Sequence, residues 1–193
     1  GDTYTTSTSV TLALTYSDAT SGVGMVRYGN DGEGWKPWEA PSNAKLWTLR
    51  SVDGTRTVYY EIRDKAGHTS SVVYDTIILD STPPTTSYSH GNPSSVVSLS
   101  ASDGLSGVAA TYYRIDSGSW KLYGGSFTLS SPPPSTHIID YYSVDNAGNH
   151  ENPKTLRVHY LRISAYPPEV WSPSGSGWYT EGTTASIPSP PGS

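Results

Sequence analysis

The 193-residue sequence predicts an all-β chain built as antiparallel β-sandwiches in series. One observation is an internal repeat: Asp18, Ser21, Gly22, Val23, Tyr28, Asp31 and Trp35, then Asp64, Ala66 and Gly67, recur as Asp103, Ser106, Gly107, Val108, Tyr113, Asp116 and Trp120, then Asp145, Ala147 and Gly148. The leading Asp, Tyr and Trp of the two sets stand 85 positions apart and the trailing Asp 81 apart, so one loop is four residues shorter in the second copy. A second observation is apolar alternation with period two in both copies, with no stretch showing the 3.6-residue period of a helix. A third is the density of Gly, Pro, Asn and Asp turn signals, about every eight to twelve residues.

Residues 1 to 9 are polar. From Val10 the alternation places Val10, Leu12, Leu14 and Tyr16 on one face of a half-buried strand, and Val97, Leu99 and Ala101 repeat it. Each strand leads into an Asp-x-x-Ser-Gly loop, where Gly22 and Gly107 can take backbone angles closed to other residues. A strand through Tyr28 or Tyr113 follows. Asn30-Asp31-Gly32 and Asp116-Ser117-Gly118 then read as tight hairpin turns, with Trp35 and Trp120 opening short return strands. Residues 37–51 and 122–134 are irregular, and Pro132-Pro133-Pro134 excludes a central strand. Residues 55–64 and 137–145 carry the longest β signals, each ending in an Asp-x-Ala-Gly turn that returns the chain as a last strand, 72–79 or 155–163. Pro83-Pro84 and Pro167-Pro168 mark stiff junctions. Short strands in units of this size point to immunoglobulin-like topology without the disulfide, since the chain has no Cys.

Leu, Ile, Val and Phe are scarce, but six Trp and 15 Tyr supply large amphipathic side chains able to fill a thin core. A net charge of −5 without clustered Lys and Arg disfavours nucleic acid as a partner. No apolar run is long enough to span a bilayer as a helix, so membrane insertion of this stretch is not expected. Without a leader or an initiating Met, the chain reads as a fragment or processed product.

The strings Ser-Asp-Ala-Thr-Ser-Gly-Val, Asp-Ser-Gly-Ser-Trp-Lys-Leu-Tyr, Tyr-Tyr-Ser-Val-Asp-Asn-Ala-Gly-Asn and Asp-Ser-Thr-Pro-Pro resemble the tandem immunoglobulin-like repeats of bacterial and archaeal secreted and surface-layer proteins, over about residues 5 to 163. The resemblance implies an extracellular or cell-surface, non-catalytic spacer or adhesion region. Its partners would be neighbouring repeats of the same chain, other surface proteins or cell-wall polysaccharide. The expected division is an immunoglobulin-like module at 1–82, a second at 83–165, and a truncated start of a third, or a tail, at 166–193. About 25 residues cannot enclose a core, so that remnant should be irregular or pinned to the second module.

In this topology the Asp-x-x-Ser-Gly loop and the Asp-x-Ala-Gly hairpin lie at the pole where the chain enters. Asp103 and Asp145 should therefore converge, with Asp80 arriving on the linker. Three carboxylates suit Ca²⁺, which takes six to eight oxygen ligands; the competing reading is that each Asp satisfies turn amides. Asp18 and Asp64 are the counterparts in the first copy. Trp35, Trp38, Trp47 and Trp120 could stack on sugar rings, making the alternative function a carbohydrate-binding accessory region of a secreted hydrolase. Their spacing favours core or edge-covering roles instead, because Trp35 and Trp38 face opposite sides of a regular strand and Pro37 interrupts it. The histidines show no metal spacing and no Gly-x-Ser-x-Gly elbow occurs, so no catalytic residue is expected.

Overall fold

The computed structural model describes residues 1–90, 96–130, 135–163 and 175–180, and among them it is entirely β. The chain forms two compact units: Gly1–Thr82 with Asn146–Asn149, and the described residues of Pro83–Asp145 with those from His150 onward. The strands are β1 (Tyr4–Thr5), β2 (Ser9–Ala13), β3 (Val23–Asn30), β4 (Ala44–Thr48), β5 (Gly54–Asp64) and β6 (Val73–Leu79). They continue with β7 (Thr85–His90), β8 (Val96–Ser102), β9 (Val108–Ile115), β10 (Lys121–Leu122), β11 (Phe127–Thr128), β12 (Ser135–Asp145), β13 (Lys154–Ile163) and β14 (Gly175–Thr180).

In the first unit a sheet of order β1-β6-β5-β3 faces the pair β2-β4. Period-two alternation sends one side of each strand inward, where Leu14, Val26, Tyr28, Trp47, Leu49 and Val58 form the core. In the second unit a sheet of order β10-β9-β12-β13-β14 faces β11-β8-β7, around Val97, Leu99, Leu129, Ile139, Tyr141, Leu156 and Val158. Two facing sheets, antiparallel but for the β1–β6 pair and linked by crossings such as β3 to β4 and β8 to β9, make each unit an immunoglobulin-like sandwich.

Both long hairpins run as the alternation predicts, from β5 into β6 and from β12 into β13. The turn after β9 holds Asp116 at φ 51° and Ser117 at φ 60°, and Gly118 N–H donates to Ile115 O at 2.9 Å, which is the mirror-image turn that suits a hairpin. Trp35, by contrast, opens no strand. Pro37 cannot donate to a ladder, and the chain returns through Lys36 N–H on Tyr28 O at 2.8 Å and an isolated bridge between Val26 and Glu39.

Four strands differ from the sequence reading, one of them β11, which pairs with β8 inside residues 122–134 that were read as irregular. Residues 37–51, read as irregular, contain β4, whose Leu46 and Thr48 face solvent while Trp47 is buried. The polar first residues contain β1, parallel to β6 through Tyr4–Ile78 and Thr5–Leu79. The stretch after Pro83-Pro84 forms β7, antiparallel to β8 through six residue pairs. The proline run at 132–134 lies outside the described residues. Of the C-terminal remnant, the described strand β14 pairs antiparallel with β13 from Val158–Thr180 to Ile163–Gly175.

Candidate functional site

Gly22 and Gly107 adopt φ of 77° and 79°, which lets each Asp-x-x-Ser-Gly loop fold back over its own aspartate. Asp18 Oδ1 accepts the N–H groups of Thr20, Ser21 and Gly22 at 3.2, 2.8 and 2.7 Å. Hydrogen bonds from Gly22 and Ser21, the largest cause, hold its carboxyl below the ordinary value. Asp103 Oδ1 accepts Leu105 N–H at 3.0 Å and Gly107 N–H at 2.7 Å in the same way. The loop aspartates are therefore turn caps, whatever else they do.

Asp64 and Asp145 close the long strands of the two copies. In each case a register shift lies beside the pairing with Val23 or Val108, which sets the residue against the preceding loop. Asp64 accepts His68 N–H at 2.8 Å and meets His68 Nδ1 at 3.0 Å. The bond to the His68 ring leads the causes that bring its carboxyl down to about 2. In the second unit Asp145 is buried, and Asp103 and Asp145 offer carboxylate oxygens within 4.8 Å of each other. Like charges that close repel by about 1 kcal/mol in water and several times that near a protein surface. A divalent cation would relieve that repulsion.

Asp80 belongs to the first unit and is fully buried. Its N–H donates to Thr5 O at 2.9 Å, and its Oδ1 accepts Thr82 N–H at 3.1 Å. The tip of the β12–β13 hairpin, Asn146–Asn149, is part of this same unit, and Asn149 Nδ2 donates to Asp80 O at 2.9 Å. Asp53 fixes the adjoining residues by accepting Ser81 N–H at 3.1 Å, the Ser81 hydroxyl at 2.9 Å and the Thr82 hydroxyl at 2.9 Å.

The tryptophans have partners of their own. Trp47 is buried, with Nε1 donating to Asn30 Oδ1 at 2.7 Å. The Arg27 guanidinium lies 4.7 Å from the Trp35 ring centre and 4.6 Å from that of Trp38, and Arg63 lies 4.2 Å from Trp38. Arg27 also pairs across the strands with Glu61. In the second unit Trp120 covers Arg114 at 4.7 Å, and Arg114 pairs with Asp140 at 2.8 Å. A ring face already occupied by guanidinium is not open to a sugar.

The sequence reading missed a buried polar cluster in the second unit. Thr86 and Thr111 hydroxyls meet Ser143 Oγ at 2.6 and 2.7 Å. Glu151 accepts Thr86 N–H at 3.0 Å and Ser143 N–H at 3.3 Å, pairs with Lys154, and Lys154 donates to Thr86 O at 2.7 Å. Burial pushes the Glu151 carboxyl up, but the bonds from Lys154 and Thr86 outweigh it and hold it low. The available signal was Ser143, a polar residue continuing the inward-facing series Ile139, Tyr141.

No family model matches the sequence, and no curated protein matches it. Among solved structures, the chain is similar to the fibronectin(III)-like modules of Clostridium thermocellum CbhA at 11% identity, with a TM-score of 0.45, covering 80% of this chain and 86% of that one.

Proposed function

We propose that the chain is a non-catalytic structural region of a secreted or cell-surface protein, spacing or assembling it as the tandem repeats it resembles do. The observation that carries this reading is that the chemistry-bearing residues of the repeat are engaged in folding. The loop aspartates cap backbone amides, and Trp35, Trp38 and Trp120 cover arginines. Neighbouring repeats, other surface proteins or cell-wall polysaccharide are the partners this reading calls for. Titration with cell-wall polysaccharides tests it: no millimolar binding that depends on Trp120 is expected, and binding lost in Trp120→Ala would instead favour an accessory region of a hydrolase.

Asp103 and Asp145, joined by Asp80, are proposed to hold Ca²⁺. The closeness of the first two carboxylates and the burial of Asp145 support it, because such a pair is costly without a cation or a proton. Asp103→Asn keeps an oxygen for the Leu105 and Gly107 amides while removing the charge, so it separates metal binding from turn capping. Calorimetry should show Ca²⁺ binding to the natural chain and its loss in Asp103→Asn and Asp145→Asn. Absence of binding heat in the natural chain at millimolar Ca²⁺ returns these aspartates to turn caps alone.

A further inference from the structure

The two units differ in how their leading strand is used. In the second unit β7 pairs with the outer edge of β8, completing a three-stranded sheet. The corresponding residues of the first unit, at its start, form β1 and pair with β6, so β2 has β4 on one side and no described strand on the other. Leu14 N–H donates toward the β4 side, to Asn43 O at 2.9 Å. By strand alternation Thr11 and Ala13 aim their N–H and C=O groups at the open edge. The segment Ser9–Ala13 carries no charge, Pro or Gly to guard that edge.

Side chains around the edge are less covered than the equivalent ones of the second unit among the described residues. In the 85-residue repeat Leu12 corresponds to Val97; Val97 is fully buried, whereas Leu12 is half-buried. The residues that grip Thr86 in the second unit also change together. Thr111, Ser143, Glu151 and Lys154 correspond to Val26, Ile62, Ser70 and Val73. Of these, Val73 is 46% exposed although it lies on the inward face opposite Tyr60. The slot that is polar in the second unit is largely aliphatic in the first.

We propose that the open edge of β2 is a docking site for the leading strand of another repeat of this kind, an uncharged extended segment with an aliphatic side chain where β7 has Thr86. Backbone pairing along Thr11 and Ala13 gives the affinity, and the aliphatic side chain, placed against Ile62 and Val73, gives the selectivity. Thr86 itself fits poorly there, since its hydroxyl loses the Ser143 partner that satisfies it in the second unit. The docking is independent of any cation.

The test titrates the isotope-labelled chain with a synthetic peptide of residues 81–90 carrying Thr86→Val, and follows backbone amides. The Thr11 and Ala13 resonances should shift, and their exchange with solvent should slow at least about tenfold. The peptide with Thr86 retained should bind about tenfold more weakly. A Val peptide with its pairing amides N-methylated should not bind. Unmoved Thr11 and Ala13 amides at millimolar Val peptide, binding that tolerates N-methylation, or equal affinity of the Thr and Val peptides would each overturn the proposal.

Discussion

Tyr28 offers the sharpest energetic test, because its ring and its hydroxyl pull in opposite directions. The residue is 1% exposed and packs in the first core, with the Trp47 ring centre 5.6 Å away. Its hydroxyl is buried and meets no hydrogen-bond partner among the described residues. Burying a hydroxyl without a partner costs about 1–3 kcal/mol, while the ring contributes through burial and dispersion that phenylalanine reproduces. Tyr28→Phe should therefore stabilise the first unit by about 1 kcal/mol or more, raising its Tm by about 4–8 °C per kcal/mol for a unit of this size. Burial first, then Glu39, Tyr16 and Tyr60, push the Tyr28 hydroxyl up to about 12. A raised folded value means the unfolded chain ionises first, so stability present below pH about 10 is lost as pH climbs toward 12. The Phe variant should lose less stability on that alkaline limb. Urea denaturation at neutral pH and at stepped alkaline pH reads both effects. A variant less stable by about 1 kcal/mol, with an unchanged alkaline limb, would show that the hydroxyl is satisfied and refute the reasoning.

Two further outcomes follow from the polar groups. Asp64, with its folded value near 2, should titrate in carbon-13 carboxyl spectra at about that pH. Because its folded value is depressed, it adds stability above the ordinary carboxylate value that is lost as pH falls toward 2; a midpoint near 4 would contradict the His68 contact. Glu151→Ala should destabilise the second unit by about 2–3 kcal/mol in urea denaturation and speed exchange at the Thr86 amide, because it strands two buried N–H groups and removes a buried pair. A change below about 0.5 kcal/mol would refute the role given to that cluster.

The long hairpins were legible because β5 and β12 alternate over 11 residues each, enough for periodicity to dominate local noise. The short strands were not. β1 has two residues, and a strand of that length exists only because β6 offers an edge, which no local pattern encodes. β4 was masked by its exposed Leu46, which breaks the inward-apolar rule beside the buried Trp47. β7 reads Thr-Thr-Ser-Tyr-Ser-His, polar throughout, because its inward residue Thr86 faces hydroxyls and a carboxylate instead of an apolar core. The loop aspartates were legible as turn caps from the glycine four residues on, since a carboxylate there can gather the amides of a tight loop. Strand pairing across the units' sheets was not, being set by contacts distant in sequence.

The tryptophan of the repeat shows what a fixed residue can be fixed for. Trp35 and Trp120 occupy corresponding positions, yet the ion pairs they cover do not. Arg27 and Glu61 correspond to Tyr112 and Tyr142, which stack with ring centres 5.3 Å apart, while Arg114 and Asp140 correspond to Gly29 and Tyr59. The pair has moved two residues along both strands, staying on the outer face because side chains two apart share a face. In each unit the indole still reaches the arginine, at 4.7 Å in both. A covering residue needs only an arginine within reach of the hairpin, and either position meets that need. The common feature of the two copies is thus a shielded cross-strand pair on the outer face.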